Sequence, residues 1–155
     1  MPLFFFLLFS LLVAREASKL ADDVDQAFQE RAWANAMNLM VYHQGAVRWV
    51  INNGGAGFVG VVDQANVLTG TPASFQPSLN WISTSEAGRI ITCTATSIAN
   101  SDGMVAANLS RLSHQDPGAG MIRNGEFVSS NRSGLVAPAP ATCRNGSPAY
   151  YSTVS

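Results

Sequence analysis

Cys93 and Cys143 are the residues whose types and spacing point most directly to chemistry. They lie 50 positions apart, the chain contains no CxxC pair, and no Cys/His cluster has the spacing of a metal site. The pair predicts one disulfide if the chain is exported, and two buried thiols if it remains in a reducing compartment. We favour the disulfide, which would stabilise the fold by roughly 3–5 kcal/mol through the closure of a loop of this size.

The other candidate groups for chemistry are scattered along the chain. His43 and His114 are far apart, and the acids that follow the first fifty residues form no paired motif: Asp63, Glu86, Asp102, Asp116 and Glu126. The sequence contains neither a GxSxG nor an HExxH motif. We therefore expect no catalytic residue, no metal ligand and no small-molecule substrate.

A glycine-rich stretch is spaced like a dinucleotide-binding turn, with Gly55, Gly57 and Gly60 in a GxGxxG-like order. Such a turn normally follows a strand and opens a helix, whereas this one follows a predicted helix. We interpret it as a linker or turn and expect no cofactor.

The composition excludes a second class of function. Charged residues make up 12% of the chain, against about 25% in an average soluble protein, and the net charge is −1. Because there is no basic excess, we expect no nucleic-acid partner.

The N-terminus, residues 1–14, carries no charged side chain. It could be a signal peptide that is removed, but no Lys or Arg precedes the apolar run, and Leu12 occupies the −3 position of the best cleavage site. We favour an uncleaved membrane anchor that Arg15 and Lys19 lengthen by reaching the interface. Its apolar residues are Leu3, Phe4, Phe5, Phe6, Leu7, Leu8, Phe9, Leu11, Leu12 and Val13.

The orientation of this anchor has two conflicting signals. Arg15 and Lys19 follow the run, so the positive-inside rule would leave the rest of the chain in the cytoplasm. The cysteine pair favours the oxidising side. We expect a single anchor in a bacterial inner membrane with the remainder of the protein in the periplasm.

Residues 15–52 read as an amphipathic helical stem that ends at the residues Asn52 to Gly55. Its first half has a narrow apolar line at four-residue spacing, formed by Leu20, Val24 and Phe28. This line, which we call the seam, could pack against a partner helix or a second copy of the chain. The second half is broader in its apolar coverage and should carry a globular head.

Residues 53–155 predict that head. A β-rich run spans residues 88–96, Asp102 is a candidate N-cap for a helix ending near His114, and Asn124-Gly125 is a type I′ hairpin signal. Residues 69–80 read as a loop that Trp81 and Ile82 dock onto the core, and residues 149–155 read as a loose tail. The fold class is therefore α+β and pilin-like: a long N-terminal helix with a small antiparallel sheet packed on its C-terminal half, closed by the disulfide.

Several of these stretches resemble the PilM-type proteins of type IVb, conjugative thin-pilus systems. The similar residues are NLMVYHQGAVRWVI from Asn38, GMIRNGEFVS from Gly120, and Pro138, within a resemblance that covers about residues 1–140. The resemblance implies a small inner-membrane component of the pilus assembly machinery or basal body, in contact with pilins or other pilus proteins.

Two departures from true pilins favour a fixed component over a filament subunit. The sequence lacks a Gly-Phe or Gly-Met processing site after a basic leader, and it lacks a Glu near the start of the apolar run. We therefore expect a membrane-anchored structural protein of pilus assembly. The alternatives are a minor pilin within the filament and a soluble periplasmic binding module released by signal-peptide removal.

Overall fold

A computed structural model describes residues 2–98, 101–131 and 133–155, and among residues 2–20 it describes the side chains of Arg15, Glu16 and Lys19. The helices are α1 (Pro2–Asn52), α2 (Gln64–Thr69) and α3 (Asp102–Leu112), with a 3-10 turn at Gly55–Gly57. The strands are β1 (Gly60–Val62), β2 (Trp81–Glu86), β3 (Arg89–Thr94), β4 (Ala119–Arg123), β5 (Glu126–Ser129), β6 (Val136–Pro138) and β7 (Pro148–Thr153).

The chain divides into two compact units, Met1–Arg31 and Ala32–Ser155. The first is the N-terminal part of α1, in which every side chain of residues 21–31 is exposed. The second, which we call the head, contains the rest of α1 and all seven strands. No helix among the described residues is long and apolar enough to cross a membrane, and the side chains of the expected anchor lie outside that description.

The head confirms the predicted α+β fold, with a larger sheet than the sequence indicated. The seven strands are antiparallel in the order β1-β2-β3-β7-β4-β5-β6. The prediction of a loose tail was wrong, because β7 lies at the centre of the sheet and pairs with both β3 and β4. Trp81 and Ile82 open β2, and Trp81 is buried in the core, where its indole N–H donates to Asn38 Oδ1 at 2.8 Å.

Both faces of the sheet are covered. On one face, the buried stripe of α1 in the head packs with side chains such as Trp81, Ile90 and Leu109; the stripe consists of Ala32, Ala36, Leu39, Tyr42, Ala46 and Val50. These positions recur every three or four residues, as a helix face requires, and the three alanines allow close approach. On the other face, Ile91 and Cys93 of β3 join Ile122, Phe127 and Ala149 in a second cluster.

Two local predictions have opposite outcomes. Asn124 and Gly125 have φ values of 53° and 79°, as a type I′ turn requires, and they join β4 to β5. Asp102, by contrast, is the first residue of α3 and not its N-cap, which is Ser101. The Asp102 carboxylate instead accepts a hydrogen bond from the backbone N–H of Ile98 at 3.3 Å.

Candidate functional site

Cys93 and Cys143 form a disulfide, with their Cα atoms 5.6 Å apart. Cys93 is fully buried near the end of β3, and Cys143 lies in the segment that leads from β6 to β7. The bond therefore ties the segment that precedes β7 to β3, which is the strand that β7 pairs with in the sheet.

Four further contacts are made by Arg144, Asn145 and Gly146, the three residues that follow Cys143. The guanidinium of Arg144 pairs with the Asp102 carboxylate of α3, and its backbone N–H donates to the Thr94 carbonyl at 3.2 Å. The Asn145 amide oxygen accepts a hydrogen bond from the backbone N–H of Asn124 at 2.9 Å, and the N–H of Gly146 donates to the Ile122 carbonyl at 2.7 Å. We call residues 143–146 the clamp, because they bind β3, α3 and the β4–β5 hairpin together.

His43 is the centre of a second polar group, between α1 and the sheet. It is 2% exposed, and its Nδ1 and Nε2 atoms lie 2.8 Å from Thr92 Oγ1 and 2.7 Å from Ser152 Oγ. Thr92 Oγ1 is also 2.7 Å from Ser83 Oγ, and the His43 ring stacks on Tyr150 with centroids 4.8 Å apart. The imidazole thus joins α1 to two central strands, β3 and β7.

The environment of His43 decides what it can do chemically. Burial lowers the pKa of His43 from 6.5 to about 3, so the ring is neutral at physiological pH. A neutral imidazole donates from one nitrogen and accepts at the other, which two hydroxyl partners satisfy. Ser152 and His43 therefore resemble a nucleophile–base pair in distance, but burial opposes the imidazolium that such catalysis needs.

A cavity of about 270 Å³ adjoins this group and is lined by His43, Gln44, Val47, Arg48, Asp116, Tyr150 and Ser152. Tyr150 has its pKa raised from 10.0 to about 12 by burial and by the nearby Asp116 carboxylate. Arg48 donates to the Gly70 carbonyl at 3.0 Å. The polar groups of this cavity are thus largely committed to bonds within the head.

The remaining candidate residues from the sequence are not assembled into a site. Among the residues described, no group of three or more His, Cys, Asp or Glu side chains could hold a metal ion. Sequence reasoning missed Arg144 and the hydroxyl partners of His43. The burial of His43 could have been predicted from its position, because it falls between Leu39 and Ala46 on the buried stripe of α1.

The structure describes two of the three side chains of the seam, those of Val24 and Phe28. Val24 is 47% exposed and Phe28 is 46% exposed, four residues apart on α1. The side chain of Leu20 and those of the predicted anchor, residues 3–13, lie outside the described side chains. Two large apolar side chains therefore face solvent on a segment that is otherwise polar, small or charged.

A family model described as PilM matches residues 6–151, nearly the whole chain, and agrees with the resemblance found in the sequence. No curated protein and no solved structure matches the chain.

Proposed function

Because this chain belongs to the PilM family of type IV pilus-related proteins, we propose a structural role for it in pilus assembly. In this proposal, it is a membrane-anchored component of the assembly machinery. In this role, residues 1–14 hold it in the bacterial inner membrane and the head lies in the periplasm. Its partners are pilins or other pilus-assembly proteins, in a system of the type IVb, conjugative kind. The observation that carries the proposal is the family match over residues 6–151.

The seam supports a role in contacting partners. Residues 21–31 are exposed throughout, and the row of acids at Asp22, Asp23, Asp25 and Glu30 keeps most of this surface polar. Val24 and Phe28 break that pattern, because each leaves nearly half of a large apolar side chain in water. Burial of the exposed half of such a side chain against a partner helix is worth roughly 0.8–1.5 kcal/mol. The seam is therefore the surface that we assign to a neighbouring pilus protein or a second copy.

The disulfide supports the periplasmic location of the head. Disulfides persist in oxidising compartments such as the bacterial periplasm and are rare in the cytosol. Cys93 and Cys143 are bonded, so the head suits the periplasmic side of the membrane.

We further propose that the role is not catalytic. His43, whose neighbours most resemble a catalytic pair, is buried, neutral and bonded through both ring nitrogens. His43 instead has a structural role, because its two hydrogen bonds hold α1 against the two central strands of the head.

Photo-crosslinking tests the assignment of the seam. A benzoylphenylalanine placed at Val24 or Phe28 should capture a pilus protein in the envelope of the native host, and mass spectrometry identifies the captured protein. The same group at Gln26 or Gln29, exposed on the opposite side of the helical wheel, is the matched control. Equal capture from both faces, or none from the seam, would exclude the seam as the contact surface.

Assembly in cells provides the second test. The double variant Val24→Gln/Phe28→Gln should reduce pilus number while the protein accumulates at a normal level, because the change removes apolar contact without breaking the helix. The double variant Gln26→Ala/Gln29→Ala should leave pilus number unchanged. Normal piliation in the seam variant would contradict the assigned role.

A further inference from the structure

The position of β7 makes the sheet dependent on the last residues of the chain. In the strand order, β7 lies between β3 and β4 and hydrogen-bonds to both. It therefore joins one half-sheet, β1–β3, to the other, β4–β6. Without β7, the facing edges of β3 and β4 would each present unpaired backbone groups. The slot between these strands fits one extended segment with the sequence of β7.

The residues that precede β7 form a short hinge. Residues 140–142, Pro140, Ala141 and Thr142, connect the backbone bond at Ala139 to the clamp at Cys143. Ala141 and Thr142 are exposed. Exchange of an element between identical chains through a short hinge is a low-cost route to a dimer. The clamp and β7 together, residues 143–153, are one such element.

We propose that this chain can exchange residues 143–153 with a second copy during folding, and that the Cys93–Cys143 disulfide fixes the outcome. In the exchanged dimer, β7 of each copy fills the slot of the other, and Cys143 of each reaches Cys93 of the other. The contacts of the clamp and of β7 are the same in both forms, so chain concentration at the time of folding decides between them.

The disulfide makes the choice permanent. When the bridge forms, the two thiols lose two electrons and two protons to a disulfide oxidant such as oxidised glutathione, which is reduced to two thiols. Four residues then separate Cys143 from β7, and an extended segment of that length spans roughly 15 Å. That reach is too short for β7 to leave its slot and enter the slot of another copy.

The first test is refolding of the full-length wild-type chain in detergent. The protein is unfolded and reduced, then refolded with reduced and oxidised glutathione at two concentrations about a hundredfold apart. We expect the fraction of covalent dimer on a non-reducing gel to rise at least about tenfold at the higher concentration, with Cys93–Cys143 as its linkage. A dimer fraction independent of concentration, or linkages between like cysteines, would overturn the proposal.

The second test separates exchange from chance crosslinking. Cys93→Ser and Cys143→Ser chains are refolded together, and each is refolded alone as a control. Because Cys93 is 0% exposed, a bond to it from another copy requires that copy's clamp to occupy the slot. We expect a covalent heterodimer from the refolded mixture and none when the two variants are mixed after folding. As much crosslinking in the single-variant samples as in the refolded mixture would refute exchange.

Discussion

The burial of His43 predicts a specific loss of stability in mild acid. The folded state keeps the ring neutral down to a pKa of about 3, whereas the ring in the unfolded chain takes up a proton near its ordinary pKa of 6.5. Between these two values the unfolded state binds one more proton than the folded state. The free energy of unfolding therefore falls as the pH falls, and above pH 6.5 this group has no effect.

The size of this loss follows from the uptake of one extra proton by the unfolded state. Each pH unit within that window changes the free energy of unfolding by up to about 1.4 kcal/mol, so a drop from pH 6 to pH 4 should cost about 2.5 kcal/mol. Other titrating groups also contribute to the measured pH dependence. The variant His43→Gln removes the titration of this group while keeping a donor and an acceptor for Thr92 and Ser152.

The assay is urea unfolding of the full-length chain, followed by tryptophan fluorescence at several pH values between 4 and 7. Below about pH 6, wild type should lose up to about 1.4 kcal/mol per pH unit more than His43→Gln does, and above pH 6.5 the two slopes should converge. The variant His114→Gln, at an exposed turn, controls for the removal of a histidine. Equal slopes in wild type and His43→Gln would refute the assignment of a buried neutral ring.

Three other predictions follow from the head. Gly45→Ala would place a Cβ atom 2.7 Å from the carbonyl oxygen of Val67, and it should lower the free energy of unfolding by about 1–3 kcal/mol in urea titrations. In a Tyr42→Phe/Tyr151→Phe variant, which keeps Tyr150 as its one tyrosine, tyrosinate absorbance should show ionisation near pH 12 because of burial and Asp116, and titration near pH 10 in the folded variant would contradict that burial. Deletion of Pro148–Ser155 should abolish folding, because it removes the central strand, and a folded truncated protein by circular dichroism would contradict the strand order.

Elements with strong local signals were predictable from the sequence. The long helix, the β3 run and the Asn124-Gly125 hairpin each rest on periodicity, β propensity or turn chemistry within a few residues. The disulfide was also predictable, because two cysteines in one chain have a single possible intramolecular pairing.

The centre of the sheet was not predictable in the same way. β7 follows a segment rich in Pro and Ala and ends in small polar residues, which locally resemble a tail. It becomes a strand because β3 and β4 offer it hydrogen bonds on both sides, and those partners are distant in sequence. The partners of His43 were missed for the same reason, since Ser152 is 109 residues away from it.

The most direct test of the proposed role is the intact mass and location of the protein in its native host. Envelope fractions and sheared pili are separated, and the protein is detected and weighed in each. We predict the full-length chain of 16.4 kDa in the inner-membrane fraction and none in the sheared pili. A chain lacking about its first 14 residues in the soluble periplasm, or incorporation into the sheared filaments, would contradict a fixed, anchored assembly component.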